Sequence, residues 1–298
     1  MTTSTDNNTI SAAFIGLPGT SKSTCGLSFP GVEQNVWGAG EELTAKNFSN
    51  RSDILPHRKW DWFNYLSDED KTKLMDESKE AWEKDIIINK AKYKCVCAFE
   101  SYIYRLKVEI PQGKRPELKT FFLDNGTPFA DTYKAYTLIK HEDDIITDKG
   151  NFDGRKFYPK YATDLSTFFQ TLVSLPINVA VAFHTQYSVG EENAAKIMEK
   201  EGQKLPKEWL PDIEGRLRFQ LGGLFSYAFF LKVVEEPGKE NTYIAKLEAD
   251  ESTVGIAKSR FQPFENPRKI VLPKNKFYVF LVKNINNVVS KQTTTLAA

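Results

Sequence analysis

Residues 10–16, Ile-Ser-Ala-Ala-Phe-Ile-Gly, make a short apolar strand. The turn Leu17-Pro18-Gly19-Thr20-Ser21 follows, and then a helix start at Lys22-Ser23-Thr24. Strand, glycine turn and helix N-terminus in this order form the architecture of a phosphate-binding loop. The backbone N–H groups of such a turn point at phosphate oxygens, and the helix dipole adds positive potential at the same place. The candidate phosphate-binding set is therefore Gly16, Pro18, Gly19, Thr20, Ser21, Lys22, Ser23 and Thr24. Lys22 is expected to reach the β- and γ-phosphates from an exposed helix start, and Ser23 to offer its hydroxyl to Mg²⁺. The pattern G-x-x-x-x-G-K-[ST] runs from Gly16 to Ser23, with Ser21 standing where the second glycine belongs.

Bulk composition excludes more than it selects. A chain of 298 residues with 41% apolar content can bury a sizeable core. Lys+Arg 40 against Asp+Glu 39 gives no net charge that would demand a polyanionic partner. No apolar run approaches the roughly 20 residues needed to cross a bilayer. The polar N-terminus lacks the apolar core of a secretory signal, so no membrane partner is expected. The cysteines, Cys25, Cys95 and Cys97, form no C-x-x-C pair, which fits a reducing compartment without disulfides or zinc.

Along the chain, residues 1–9 and 290–298 read as disordered tails of a single domain. A helix is expected over 22–29 and a second strand over 32–37. The Gly38-Ala39-Gly40 turn then leads to Glu41 and Glu42, either of which is a candidate to orient an attacking water. Residues 51–116 read as a helical insertion, with a capping Ser67 and a long amphipathic helix over 86–110. Its aromatics, Trp60, Trp62, Phe63, Tyr65 and Trp82, are expected in the core. Phe121-Phe122-Leu123-Asp124 is a buried strand that ends in an acid, and Asp124 is the expected Mg²⁺ partner beside Ser23. Asn125 follows it, so no general base comes directly after the carboxylate. Helices are expected over 129–140 and 161–175. A buried strand over 177–183 ends at His184-Thr185-Gln186, which places His184 and Gln186 as candidate contacts of a γ-phosphate. A short helix is expected over 191–201. Strands over 224–234 and 243–249 read as an antiparallel hairpin, and a last apolar segment spans 275–287. The expected fold is α/β, a mostly parallel sheet flanked by helices and ending in that hairpin.

Four elements in order carry a resemblance: Gly16 to Lys22-Ser23, Phe122-Leu123-Asp124, Phe183-His184-Thr185-Gln186, and Lys258-Ser259-Arg260. With Leu221-Gly222-Gly223-Leu224-Phe225 and its hairpin, residues 10–265 resemble the phage-encoded RecA-like nucleotide-binding proteins. That AAA-domain family includes single-strand-annealing recombination ATPases. The resemblance implies a RecA-like core, ATP with Mg²⁺, single-stranded DNA as partner, a homo-oligomeric ring or filament, and work in the host cytoplasm. It also implies that Lys258 and Arg260 form a K-x-R finger reaching the nucleotide of the next subunit. Ser21 and the Gly38-Ala39-Gly40 segment depart from the family pattern. The expected function is a DNA-dependent ATPase of recombination or replication. Two alternatives are a nucleotide-binding structural or regulatory protein with little hydrolysis, and a small-molecule kinase in which Lys258-Ser259-Arg260 is an intrachain phosphate clamp.

Overall fold

The computed structural model describes residues 9–38, 48, 50–147, 150–188, 208–214, 216–249, 253, 257–259 and 262–296. The strands are β1 (Ser11–Gly16), β2 (Val32–Trp37), β3 (Arg58–Trp60), β4 (Thr120–Asp124), β5 (Asn178–Phe183), β6 (Thr185–Ser188), β7 (Glu208–Pro211), β8 (Tyr227–Val234), β9 (Thr242–Lys246), β10 (Lys258–Ser259) and β11 (Ile270–Val271). The helices are α1 (Lys22–Leu27), α2 (Asp68–Met75), α3 (Ala81–Glu109), α4 (Gly126–Lys140), α5 (Glu142–Ile145), α6 (Gly154–Val173) and α7 (Phe277–Leu296).

The main sheet runs β11-β9-β8-β1-β5-β4-β2-β3, with β10 also on β8. From β8 to β3 every pairing is parallel. β9 and β10 pair antiparallel with β8, and β11 antiparallel with β9. The expected α/β architecture, a mostly parallel sheet with a C-terminal antiparallel hairpin, is therefore what the chain adopts.

Strand alternation builds the layers. Ala13, Ile15, Phe121, Leu123, Val181 and Phe183 face α3, α4 and α6, whereas Ala12, Phe14, Phe122, Ala180 and Ala182 face α1 and α7. Both faces are covered, so β1, β4 and β5 are mostly apolar, as a parallel sheet flanked by helices requires. The α1 face matters most for the site. A Cβ at Gly26 would lie 2.4 Å from the Phe122 ring, so α1 rests directly on β4.

Several expectations need correction. The long helix begins at Ala81 rather than Ile86, because Glu80 and Glu83 form a reciprocal capping box there. The insertion is not purely helical: Arg58–Trp60 adds β3 to the sheet edge, beside β2. Trp60, Trp62 and Tyr65 pack against the core, but Phe63 is 41% exposed and Trp82 62% exposed. The last apolar segment is a helix, and it continues to Leu296 through the stretch read as a tail. Residues 1–8 and the expected helix over 191–201 lie outside the described residues. β6 and β7 pair as a separate antiparallel ribbon at the end of β5, a feature that reading the strand alone did not anticipate.

One buried cluster ties the insertion to the sheet. Glu33 on β2 has a side chain 3% exposed. It accepts from Arg115 Nη2 at 3.0 Å and from Arg58 Nε at 3.1 Å, and also from the Tyr102 hydroxyl. Burial, then the Glu33 carboxylate, push the Tyr102 phenol up to about 12. Removing a partner from a buried ion pair strands the other charges. Glu33→Ala is expected to cost about 3 kcal/mol of unfolding free energy in a urea titration, and a loss under about 1 kcal/mol would show that the cluster holds nothing together.

Candidate functional site

The site lies at the carboxyl edge of the sheet. β1 ends at Gly16, where a Cβ would stand 2.5 Å from Thr20 Oγ1 and 2.7 Å from the Leu231 carbonyl. Only glycine lets the turn close against β8 at this point. Thr20 Oγ1 donates to the Leu17 carbonyl at 2.7 Å and folds the turn back on itself. Gly19 then takes φ 79° and Ser21 φ 68°. Ser21 thus occupies the left-handed conformation that favours glycine, at the position where the loop pattern asks for one. Serine adopts it at some cost in strain, and such strain persists only where the surroundings hold it.

Lys22 does not sit at an exposed helix start, contrary to expectation. It is only 6% exposed. Its Nζ donates to the Gly16 carbonyl at 3.0 Å and to the Leu17 carbonyl at 2.8 Å. The ammonium therefore lies inside the curve of the loop, and these bonds help to fold it. Behind it, burial pushes the Cys25 thiol far above its ordinary range, so this cysteine is inert packing rather than a reactive group.

Asp124 ends β4 and is 1% exposed. By strand alternation it shares the face of Phe122, the face on which α1 packs. Gln34 Nε2, from the neighbouring β2, donates to Asp124 Oδ2 at 2.8 Å and fixes the carboxylate. Gln34 is itself 1% exposed, and among the described residues its Oε1 has no hydrogen-bond partner. Reading the motifs alone missed Gln34. The signal was present as Glu33-Gln34-Asn35, three polar residues in a row inside a strand that is buried along its whole length.

Asn125 has a local duty. Its side chain accepts from the Thr127 backbone N–H at 2.8 Å and caps α4. Thr127 Oγ1 in turn accepts from the His184 N–H at 3.0 Å, which fastens the end of β5 to the start of α4. His184 is half-buried at the same edge, between the ends of β1 and β4. Gln186 enters the ribbon opposite Leu210. The Thr185 hydroxyl donates to the Leu210 carbonyl at 2.6 Å.

The sheet order brings the loop, His184 and Asp124 to one edge. Glu41, Glu42 and Arg260 lie outside the described residues. Lys258 pairs with Ala228 on β8, whereas Leu231 of that strand pairs with Gly16. Lys258 therefore stands three register positions from the loop's level, about 10 Å, and its strand continues away from the loop edge. Among the described residues no group of three or more His, Cys, Asp or Glu side chains is placed to hold a metal ion. No helix of the described residues is long and apolar enough to cross a membrane.

No protein-family model matches the chain, and no curated protein matches it.

The Ser21 backbone gives a direct test of the loop's shape. Ser21→Gly removes the left-handed penalty, roughly 1–2 kcal/mol, and adds glycine's unfolded-state freedom, roughly 0.5–1 kcal/mol. Chemical denaturation should find this variant as stable as the parent or up to about 1.5 kcal/mol more stable, while Ser21→Val should lose about 2 kcal/mol. The opposite ranking would show that residue 21 is not left-handed.

Proposed function

We propose that the chain binds ATP with Mg²⁺ through the loop from Gly16 to Thr24 and hydrolyses it as an oligomeric RecA-like ATPase acting on single-stranded DNA. The observation that carries the nucleotide reading is the loop itself. A closed turn holds a left-handed residue at the second glycine position and a buried ammonium at its centre. Sheet order supports the RecA-like reading, because β5 stands between the loop strand and the acid strand and delivers His184 to the same edge.

In this reading Lys22 exchanges its two carbonyl acceptors for phosphate oxygens, with which it forms stronger, charge-assisted bonds. Ser23 and Asp124 would hold Mg²⁺, whose charge offsets that of the phosphates. One carboxylate, one hydroxyl and the substrate's own oxygens suit Mg²⁺, which keeps several waters and needs no protein cage. Gln34 keeps the Asp124 carboxylate oriented, and the β5 end with His184 lies where a terminal phosphate would be sensed.

The position of Lys258 bears on the finger. Its register relative to Gly16 disfavours an intrachain phosphate clamp and so the kinase reading. The DNA partner and the host cytoplasm rest on the resemblance alone. A binding protein with little turnover remains the second reading, favoured by one observation: Asn125 is committed to capping α4, so no base follows Asp124 directly. Turnover measured with and without single-stranded DNA separates the two, since stimulation belongs to the first and none to the second.

Two substitutions divide the proposed labour. Lys22→Ala should weaken ATP binding by about 100-fold, from the loss of charge-assisted contacts. Asp124→Asn should bind ATP within a few-fold of the parent, yet lose Mg²⁺-dependent turnover. Calorimetric titration and phosphate release measure both. Unchanged affinity in folded Lys22→Ala would sink the phosphate-loop reading, and an equal loss of binding and turnover in Asp124→Asn would make that residue structural.

A further inference from the structure

A cavity of about 200 Å³ lies against the outer side of the loop helix. Ser21, just before α1, and Thr24 and Cys25 on it form one wall; Tyr243 from β9, Leu272 after β11 and Asn275 before α7 form the other. We infer that this cavity receives the base of the bound nucleoside triphosphate, an inference that rests on the phosphate-loop reading above.

Direction comes from the sheet. β1 carries the loop, with β5 and then β4 on one side and β8, β9 and β11 on the other. Asp124, on β4, marks the side where metal and terminal phosphate belong. A triphosphate laid along the loop with that end toward Asp124 sends its sugar toward β8 and β9. Tyr243 on β9 puts one wall of the cavity on that side, and the cavity shares Ser21 and Thr24 with the phosphate-binding set.

Size and chemistry agree. Pockets for drug-sized ligands span roughly 300–1,000 Å³, so this smaller one suits a single heterocycle whose phosphates remain outside on the loop. Tyr243 supplies an aromatic face, Leu272 an apolar one, and Asn275 an amide able to both donate and accept. The outer wall is held in place: the Leu272 N–H donates to the Tyr243 carbonyl at 2.9 Å, and Lys274 Nζ bonds Glu240 Oε2 at 2.8 Å. Asn275 has φ 55°. It is the other non-glycine residue of the described chain, with Ser21, in the left-handed region, and both line this cavity. Strained residues of this kind gather at ligand sites.

The test compares Mg-ATP with Mg-tripolyphosphate, which has the phosphates and no base. Titration calorimetry is run on the parent chain, on Tyr243→Ala, and on Leu272→Trp, which fills the cavity. The parent should bind ATP at least about 10-fold more tightly than tripolyphosphate. Both variants should lose about 10-fold or more in ATP affinity while binding tripolyphosphate within about two-fold of the parent, and that retained binding also reports an intact fold. Full ATP affinity in both variants, or an equal loss of both ligands at an unshifted melting temperature, overturns the inference. If Leu272→Trp does not fold, Tyr243→Ala decides alone. If the parent binds neither ligand, the phosphate-loop reading itself falls, an outcome distinct from a failure of the base site.

Discussion

The Lys22 ammonium, held by the carbonyls of Gly16 and Leu17, is the contact around which the carboxyl edge of the sheet is arranged. A buried cation needs acceptors, and here the turn's own backbone supplies them. That requirement bends the chain after β1, places Ser21 in the left-handed region, and starts α1 where it can pack on Phe122. Gly16 is confined by the same geometry, since any side chain there would collide with Thr20 and with the β8 backbone.

The sheet order then assigns a direction to the edge. On one side of the loop stand His184 and Asp124, the latter clamped by Gln34. On the other lies a small cavity under Tyr243 and Leu272. The insertion between β2 and β4 is not an appendage, because Arg58, Tyr102 and Arg115 all meet Glu33 on β2. The adjacent residue on that strand, Gln34, holds Asp124. Packing of the insertion and orientation of the acid therefore share one strand.

The elements legible in the sequence were those whose chemistry is local. β1 with its turn, β4 with its terminal acid, and β5 with its polar end are apolar runs bounded by clear punctuation. The Ser67 cap is an equally local signal. What escaped depends on partners far along the chain. Gln34 acquires meaning only when β2 and β4 lie side by side, 90 residues apart in sequence. β3 is three residues long and has no pattern of its own, and it exists because the β2 edge offers pairing. Lys22 reads as a surface lysine until the turn is seen to close over it. Trp82 reads as core, yet its helix begins a turn earlier than the apolar spacing suggested and leaves it in solvent.

Backbone amide hydrogen exchange, followed by mass spectrometry with and without Mg-ATP, tests the central claim that the loop from Gly16 to Thr24 is the phosphate site. Exchange should slow across residues 17–25 and at the carboxyl ends of β4 and β5, and also across 272–275 where the base is received. Mg-tripolyphosphate should protect the first three regions and leave 272–275 unchanged. Protection that spares residues 17–25 while another part of the surface slows, in a protein that demonstrably binds ATP, would contradict the account.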